Sequence, residues 1–177
     1  GEFLEGEKIL VVNGDGTYSL TGFDFSVRFE NNPIIIEKFD AKKVFSAVYY
    51  DGEQGFFYLK RFMFEPSDKI QSFIAEEEGS KFVAINDDDF PCIEITFKGK
   101  HANKDPEQVD VYEFIAVKGY KAKGKRLTTN EVKTIKFIEP LQKEIPMSED
   151  DEDIEDGESG INEEEGETPA TQMELGI

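Results

Sequence analysis

The stretch FSAVYYDGEQGFFYLKRFMF, residues 45–64, reads as an apolar strand, an Asp/Gly-rich turn, and a second strand with alternating apolar positions. Asp bonds its own backbone and tolerates positive φ, and Gly adopts it freely, so the turn has a mechanism for reversing the chain. The same grammar recurs on either side. KILVVNGDGTYSLTGFDF (8–25) and KFVAINDDDFPCIEITFKG (81–99) each place an Asp/Asn/Gly turn between two apolar strands. VYEFIAVKGYKAKGKRLT (111–128) reads as a fourth copy in which the acidic turn has become basic.

Sixteen Phe and six Tyr, with no Trp, fit half-buried pleated surfaces. No amphipathic pattern persists for the 10–12 residues that an ordinary helix needs. The chain therefore predicts an all-β fold. A hairpin repeated along the chain cannot bury its own apolar face, so several copies must stack or radiate, as propeller-like blades or a meandering sandwich. The pieces between hairpins, 28–43 and 65–80, contain short apolar runs that supply the remaining strands.

The charge is divided unevenly. Of 39 acidic residues, thirteen lie between Glu149 and Glu174, where there is no Lys, Arg or His. That density forbids collapse into a core, so the ordered domain is expected over 1–145 and a disordered acidic tail over 146–177. Residues 98–143 carry eleven bases against six acids, although the whole chain has a net charge of -19. Cys92 is the sole cysteine, which excludes an internal disulfide and a disulfide-stapled secreted scaffold. No segment approaches the roughly 20 apolar residues of a membrane span, and a cytoplasmic domain with no membrane partner is expected.

The cations are concentrated in VKGYKAKGKRLTT, residues 117–129. Lys118, Lys121, Lys123, Lys125 and Arg126 are interleaved with Gly119 and Gly124, and no carboxylate occurs between Ala116 and Asn130. Glycines let a backbone approach a ligand closely, and such a loop suits a phosphodiester chain. The same cluster also describes a solvated turn that guards a sheet edge. Lys60 and Arg61 in the 45–64 hairpin, and Lys98 and Lys100 after the third repeat, complete the candidate DNA-binding set. On a disc of blades they share one rim.

VKGYKAKGKRLTTNEV, followed by TIKFIEP, resembles the end of the C-terminal domain in the A subunit of bacterial type II topoisomerases, the topoisomerase IV type of the Bacteroidetes. The 45–64 hairpin is similar to that family's blade, in which Tyr-x-Asp-Gly leads to a strand carrying a Lys-Arg pair. The resemblance spans roughly residues 8–140. It implies a β-pinwheel, small or broken here, whose basic rim binds and bends duplex DNA without reading sequence. It also implies a non-catalytic domain without a cofactor, monomeric in isolation, that works with the remainder of the A subunit and the B (ATPase) subunit. The Gln-Arg-Arg-Gly-Gly-Lys-Gly box of the gyrase relative is absent, which favours the topoisomerase IV type.

Other signals are weaker. NGDGTYS (13–19) and INDDDF (85–90) cluster oxygen ligands but lack the spacing and terminal Glu of an EF-hand loop. His101 has no partner for a triad or a zinc site, and Cys92 is expected to be a buried, inert thiol. Two other function classes fit the same residues: an all-β protein-interaction module, and a carbohydrate- or calcium-binding β domain.

Overall fold

Ile9–Asn13 (β1) and Thr17–Thr21 (β2) form the first expected hairpin. Its turn is held by the Asp15 carboxylate, which accepts from the Thr17 amide at 3.0 Å and from its hydroxyl at 2.7 Å. The register pairs Leu10 with Leu20 and Val12 with Tyr18, so all four side chains leave the sheet on one buried face. Pro33–Lys38 (β3) returns to the free edge of β1. The computed structural model describes residues 6–22 and 32–140, all within one compact unit, Gly1–Lys143. The end of the first expected hairpin, residues 23–25, and the expected acidic tail lie outside the described residues.

The 45–64 stretch forms the second hairpin, Phe45–Asp51 (β4) against Phe56–Met63 (β5), as its turn chemistry predicts. Gln71–Ser72 (β6) then crosses back to the outer edge of β2, and Lys81–Asn86 (β7) returns to the free edge of β4. The third expected hairpin does not form. β7 stays in the second sheet, whereas Cys92–Phe97 (β8) starts a third one with Glu107–Asp110 (β9). The physical reason is in β7 itself. A bulge at Val83 lets Phe82 and Ile85 face one core and Val83 the other, so this strand belongs between two apolar layers.

The fourth expected hairpin is also absent. Asp110 caps a single helical turn, Val111–Phe114 (α1), by accepting from the amides of Tyr112 and Glu113. Val117–Gly119 (β10) then runs parallel to β5, and Lys125–Arg126 (β11) runs antiparallel to it, both on its outer edge. Val132–Ile138 (β12) returns to the free edge of β8. The real repeat is thus a hairpin, a segment that crosses to the preceding sheet, and a third strand that comes home. The second and third sheets of this series are built from that rule.

The all-β expectation holds: among the described residues there are twelve strands, one helical turn and one short 3-10 turn. The three sheets do not close into a barrel. The second sheet is buried on both faces. Phe45, Ala47 and Phe62 pack against the first sheet through Leu10, Val12 and Tyr18, while Val48 and Leu59 pack on Ile93 and Ile95 of the third. Aromatic contacts knit the first core, with the Tyr18 and Phe64 ring centroids 4.4 Å apart and Phe62 edge-on to Phe64 at 4.9 Å. Each such ring contributes about 1.5–3 kcal/mol by burial. No described helix is long and apolar enough to cross a membrane.

Candidate nucleic-acid interface

The basic loop is anchored at both ends by buried apolar side chains, Tyr120 and Leu127, which leaves the cations between them outside. Tyr120 sits edge-on to Tyr18 at 5.4 Å and its hydroxyl meets Gln71 at 3.2 Å. Gly124, at φ +90°, lies where an added Cβ would collide with the Leu59 carbonyl oxygen, so only Gly lets the loop lie flat on β5. The exposed cations rest on aromatic rings. The Lys121 ammonium lies 5.6 Å from the Tyr120 centroid, Lys125 lies 4.2 Å from Phe114, and the Arg126 guanidinium lies 4.8 Å from Phe56. Lys125 also donates to the Phe114 carbonyl at 3.3 Å. Such stacking leaves the charge facing water.

Lys98 and Lys100 stand exposed at the 3-10 turn that follows β8. The Lys98 amide donates to the Glu131 carbonyl at 2.9 Å, tying that turn to the loop before β12. Lys98 lines a cleft of about 400 Å³ with Tyr50, Phe56, Thr129, Asn130 and Glu131. Phe56 is also the ring that carries Arg126, so the cleft lined by Lys98 and the Arg126 guanidinium share this one side chain at the tip of the second hairpin.

The family model for the topoisomerase C-terminal domain of Bacteroidota matches residues 1–139. The chain belongs to that family. Nothing among curated proteins matches it, and nothing among solved structures does.

Three residues predicted for the rim of this topoisomerase C-terminal domain are placed differently. Lys60 and Arg61 lie on β5 in the twice-covered sheet, with only 3% and 7% of their surfaces exposed. Lys60 faces the first core, where its ammonium donates to the Phe73 carbonyl at 2.7 Å and to the Tyr120 carbonyl. Burial holds its pKa down at about 8. Arg61 faces the third sheet, its guanidinium 5.0 Å from the Tyr112 ring, and burial lowers its pKa against the pull of Tyr112, Asp110 and Asp89. Neither side chain stands on the outer surface, where the phosphates of a duplex would lie. A Lys-Arg pair in a strand reads as exposed, but both flanks of this strand are apolar, which is the pattern of a strand covered on two sides.

Lys123 is exposed, yet its charge is matched. Its ammonium pairs with Asp51 at 2.6 Å, while its carbonyl accepts from the Tyr49 hydroxyl at 2.8 Å. Burial pushes the Asp51 carboxyl up, but the Lys123 bond and the amides of Gln54 and Glu53 outweigh it and leave it below the usual range. Asp51 is the residue that the sequence reading missed: as the Asp of the Tyr-x-Asp-Gly turn it looked like turn chemistry alone.

Elsewhere ion pairs are common: Lys8 with Asp68, Lys38 with Glu7, Lys43 with Glu37 and Asp87, Lys104 with Glu107, Lys136 with Glu94. Lys98, Lys100, Lys118, Lys121, Lys125 and Arg126 have no carboxylate within ion-pair distance among the described residues, and neither do the scattered Lys42, Lys69, Lys81 and Lys133. In the NGDGTYS turn the Asp15 carboxylate serves Thr17, and in INDDDF the Asn86 side chain accepts from the Asp88 amide while Asp87 pairs with Lys43. His101 is exposed in the 3-10 turn, and Cys92 is buried, its thiol pushed up first by burial and then by Asp110.

Proposed function

We propose that this topoisomerase C-terminal domain holds duplex DNA by its phosphates through Lys98, Lys100, Lys118, Lys121, Lys125 and Arg126, and bends the segment it holds. It acts as a non-catalytic part of a type II topoisomerase, beside the remainder of the A subunit and the B subunit. The observation that carries the reading is local: these six are exposed with no carboxylate within ion-pair distance among the described residues, and four of them, Lys118, Lys121, Lys125 and Arg126, fall within one stretch of nine residues. A surface of Lys and Arg without a recognition helix gains affinity by releasing counterions and reads little sequence. Bending a 20–30 base-pair site costs on the order of 1–6 kcal/mol, which several phosphate contacts offset. The interlocked sheets fit a short, open version of a pinwheel.

The test is a titration of duplex DNA at several salt concentrations. The logarithm of the affinity should fall with the logarithm of salt, with a slope of about -0.9 per phosphate neutralised. Charge reversal at Lys121 and Lys125 together should flatten that slope, and reversal at Lys123 alone should change it least. An unchanged slope in the double variant removes these lysines from the interface. A second reading, a protein-interaction module, is favoured by Ile34 and Ile36, which stand 43% and 50% exposed on the edge strand β3. Salt-insensitive or undetectable DNA binding would leave that reading in place.

A further inference from the structure

Lys60 sits at the floor of a cleft of about 420 Å³ whose walls are residues 71–77 on one side and 120–123 on the other. The ammonium bridges those walls, through the Phe73 carbonyl on the first and the Tyr120 carbonyl on the second. No carboxylate lies within ion-pair distance of it among the described residues. Burying an ammonium without a counter-charge is costly, whereas a neutral amine in the same place is fully satisfied. Its nitrogen has four tetrahedral positions: one is taken by the side chain, two hydrogens go to the two carbonyls, and the fourth is a lone pair. The floor of the cleft is thus built for an amine that is also a nucleophile.

We propose that Lys60 is a site of covalent acylation, reached through this cleft by a small anionic acyl donor of the acyl phosphate class. The neutral amine attacks the acyl carbonyl carbon. As the tetrahedral adduct collapses, the carbon–oxygen bond to phosphate breaks, phosphate leaves with the electron pair, and the nitrogen gives up one proton to water. The product is N-acyl-lysine and inorganic phosphate. Lys121 lines the mouth and attracts the anion, Lys123 beside it is already paired with Asp51, Glu76 and Glu77 line the opposite wall and limit the charge admitted, and the Tyr49 and Tyr120 hydroxyls are engaged with the Lys123 carbonyl and Gln71. Acylation removes a hydrogen-bond donor, so the modified side chain serves only one of the two carbonyls. One wall loses its strut, and the wall of residues 120–123 belongs to the basic loop. The inference does not depend on DNA binding.

The shifted amine sets the expected size of the effect. With a pKa of about 8 in place of 10.5, the neutral fraction at pH 7.5 is roughly 200-fold above that of an ordinary lysine. Lower basicity reduces intrinsic nucleophilicity by about tenfold, by analogy with thiolates, leaving an advantage on the order of tenfold. The experiment treats the full folded chain with acetyl phosphate at pH 7.5 to low conversion and reads each lysine by peptide mass spectrometry. Lys60 should be acetylated about tenfold faster than the exposed Lys118 and Lys133. Its rate should level off above pH 8 while theirs keep rising, and its lead should vanish in denaturing urea. A folded-state lead well below tenfold, a rate that still climbs above pH 9, or a lead that survives in urea overturns the proposal.

Discussion

Replacing Lys60 by Met keeps an unbranched apolar stem one atom shorter and removes the ammonium, and the outcome depends on pH in a way the structure specifies. The Phe73 and Tyr120 carbonyls lose their donor, at about 1–3 kcal/mol each. Against that, a pKa held at about 8 instead of 10.5 means that the charged form is about 3 kcal/mol worse placed in the fold than in water, and Met removes this burden. Near neutral pH the two effects largely cancel, so the variant should lie within about 3 kcal/mol of the parent. In the parent, the folded pKa is the lower one, so between pH 8 and 10.5 the unfolded chain binds more protons and stability rises with pH. Between pH 7.5 and 9.5 that gain is about 2 kcal/mol. The variant lacks it. Urea unfolding of both proteins at the two pH values measures the difference, which should widen by about 2 kcal/mol at the higher pH. Parallel stabilities across this range would show that Lys60 is not an uncompensated buried cation.

Asp51→Asn should destabilise the fold by about 1–3 kcal/mol, because a buried carboxylate with an ion partner and turn amides is replaced by a neutral group. It should also steepen the salt dependence of DNA binding by releasing Lys123; a slope equal to that of the parent refutes the pairing argument. The depressed Asp51 pKa adds stability that is present above the ordinary carboxylate pKa and lost as pH falls through the folded value, so acid unfolding of the parent should start earlier than that of Asp51→Asn, relative to their neutral stabilities. Gly124→Ala forces a side chain onto a left-handed backbone and against β5, and a loss above 1 kcal/mol in thermal unfolding is expected. Deleting residues 148–177 should tighten DNA binding at low salt, since a tethered run of carboxylates competes with phosphates for the same cations. Equal affinity with and without the run would leave it a solubilising end.

The turns of the first two hairpins were legible because their causes are local. Asp15 and Asp51 bond amides two and three residues away, and Gly16 and Gly55 supply positive φ, so four or five residues contain the whole reason for the reversal. The third and fourth hairpins were misread for the opposite reason. INDDDF and KGYKAKG look like turns, but whether the next strand pairs with its neighbour or with a sheet already formed depends on which edge lies open. β7 went to β4, and β10 and β11 went to β5, through contacts far along the chain.

The cationic stretch followed the same division. That Lys118 to Arg126 form a basic loop was written in their order along the chain, because charge and the glycines between belong to the residues themselves. Which of the cations keep a free charge was not. Lys123 met a buried carboxylate 72 positions upstream and Lys60 turned inward onto the Phe73 and Tyr120 carbonyls, since burial and ion pairing are properties of neighbours in space, and those neighbours exist only once the sheets have packed.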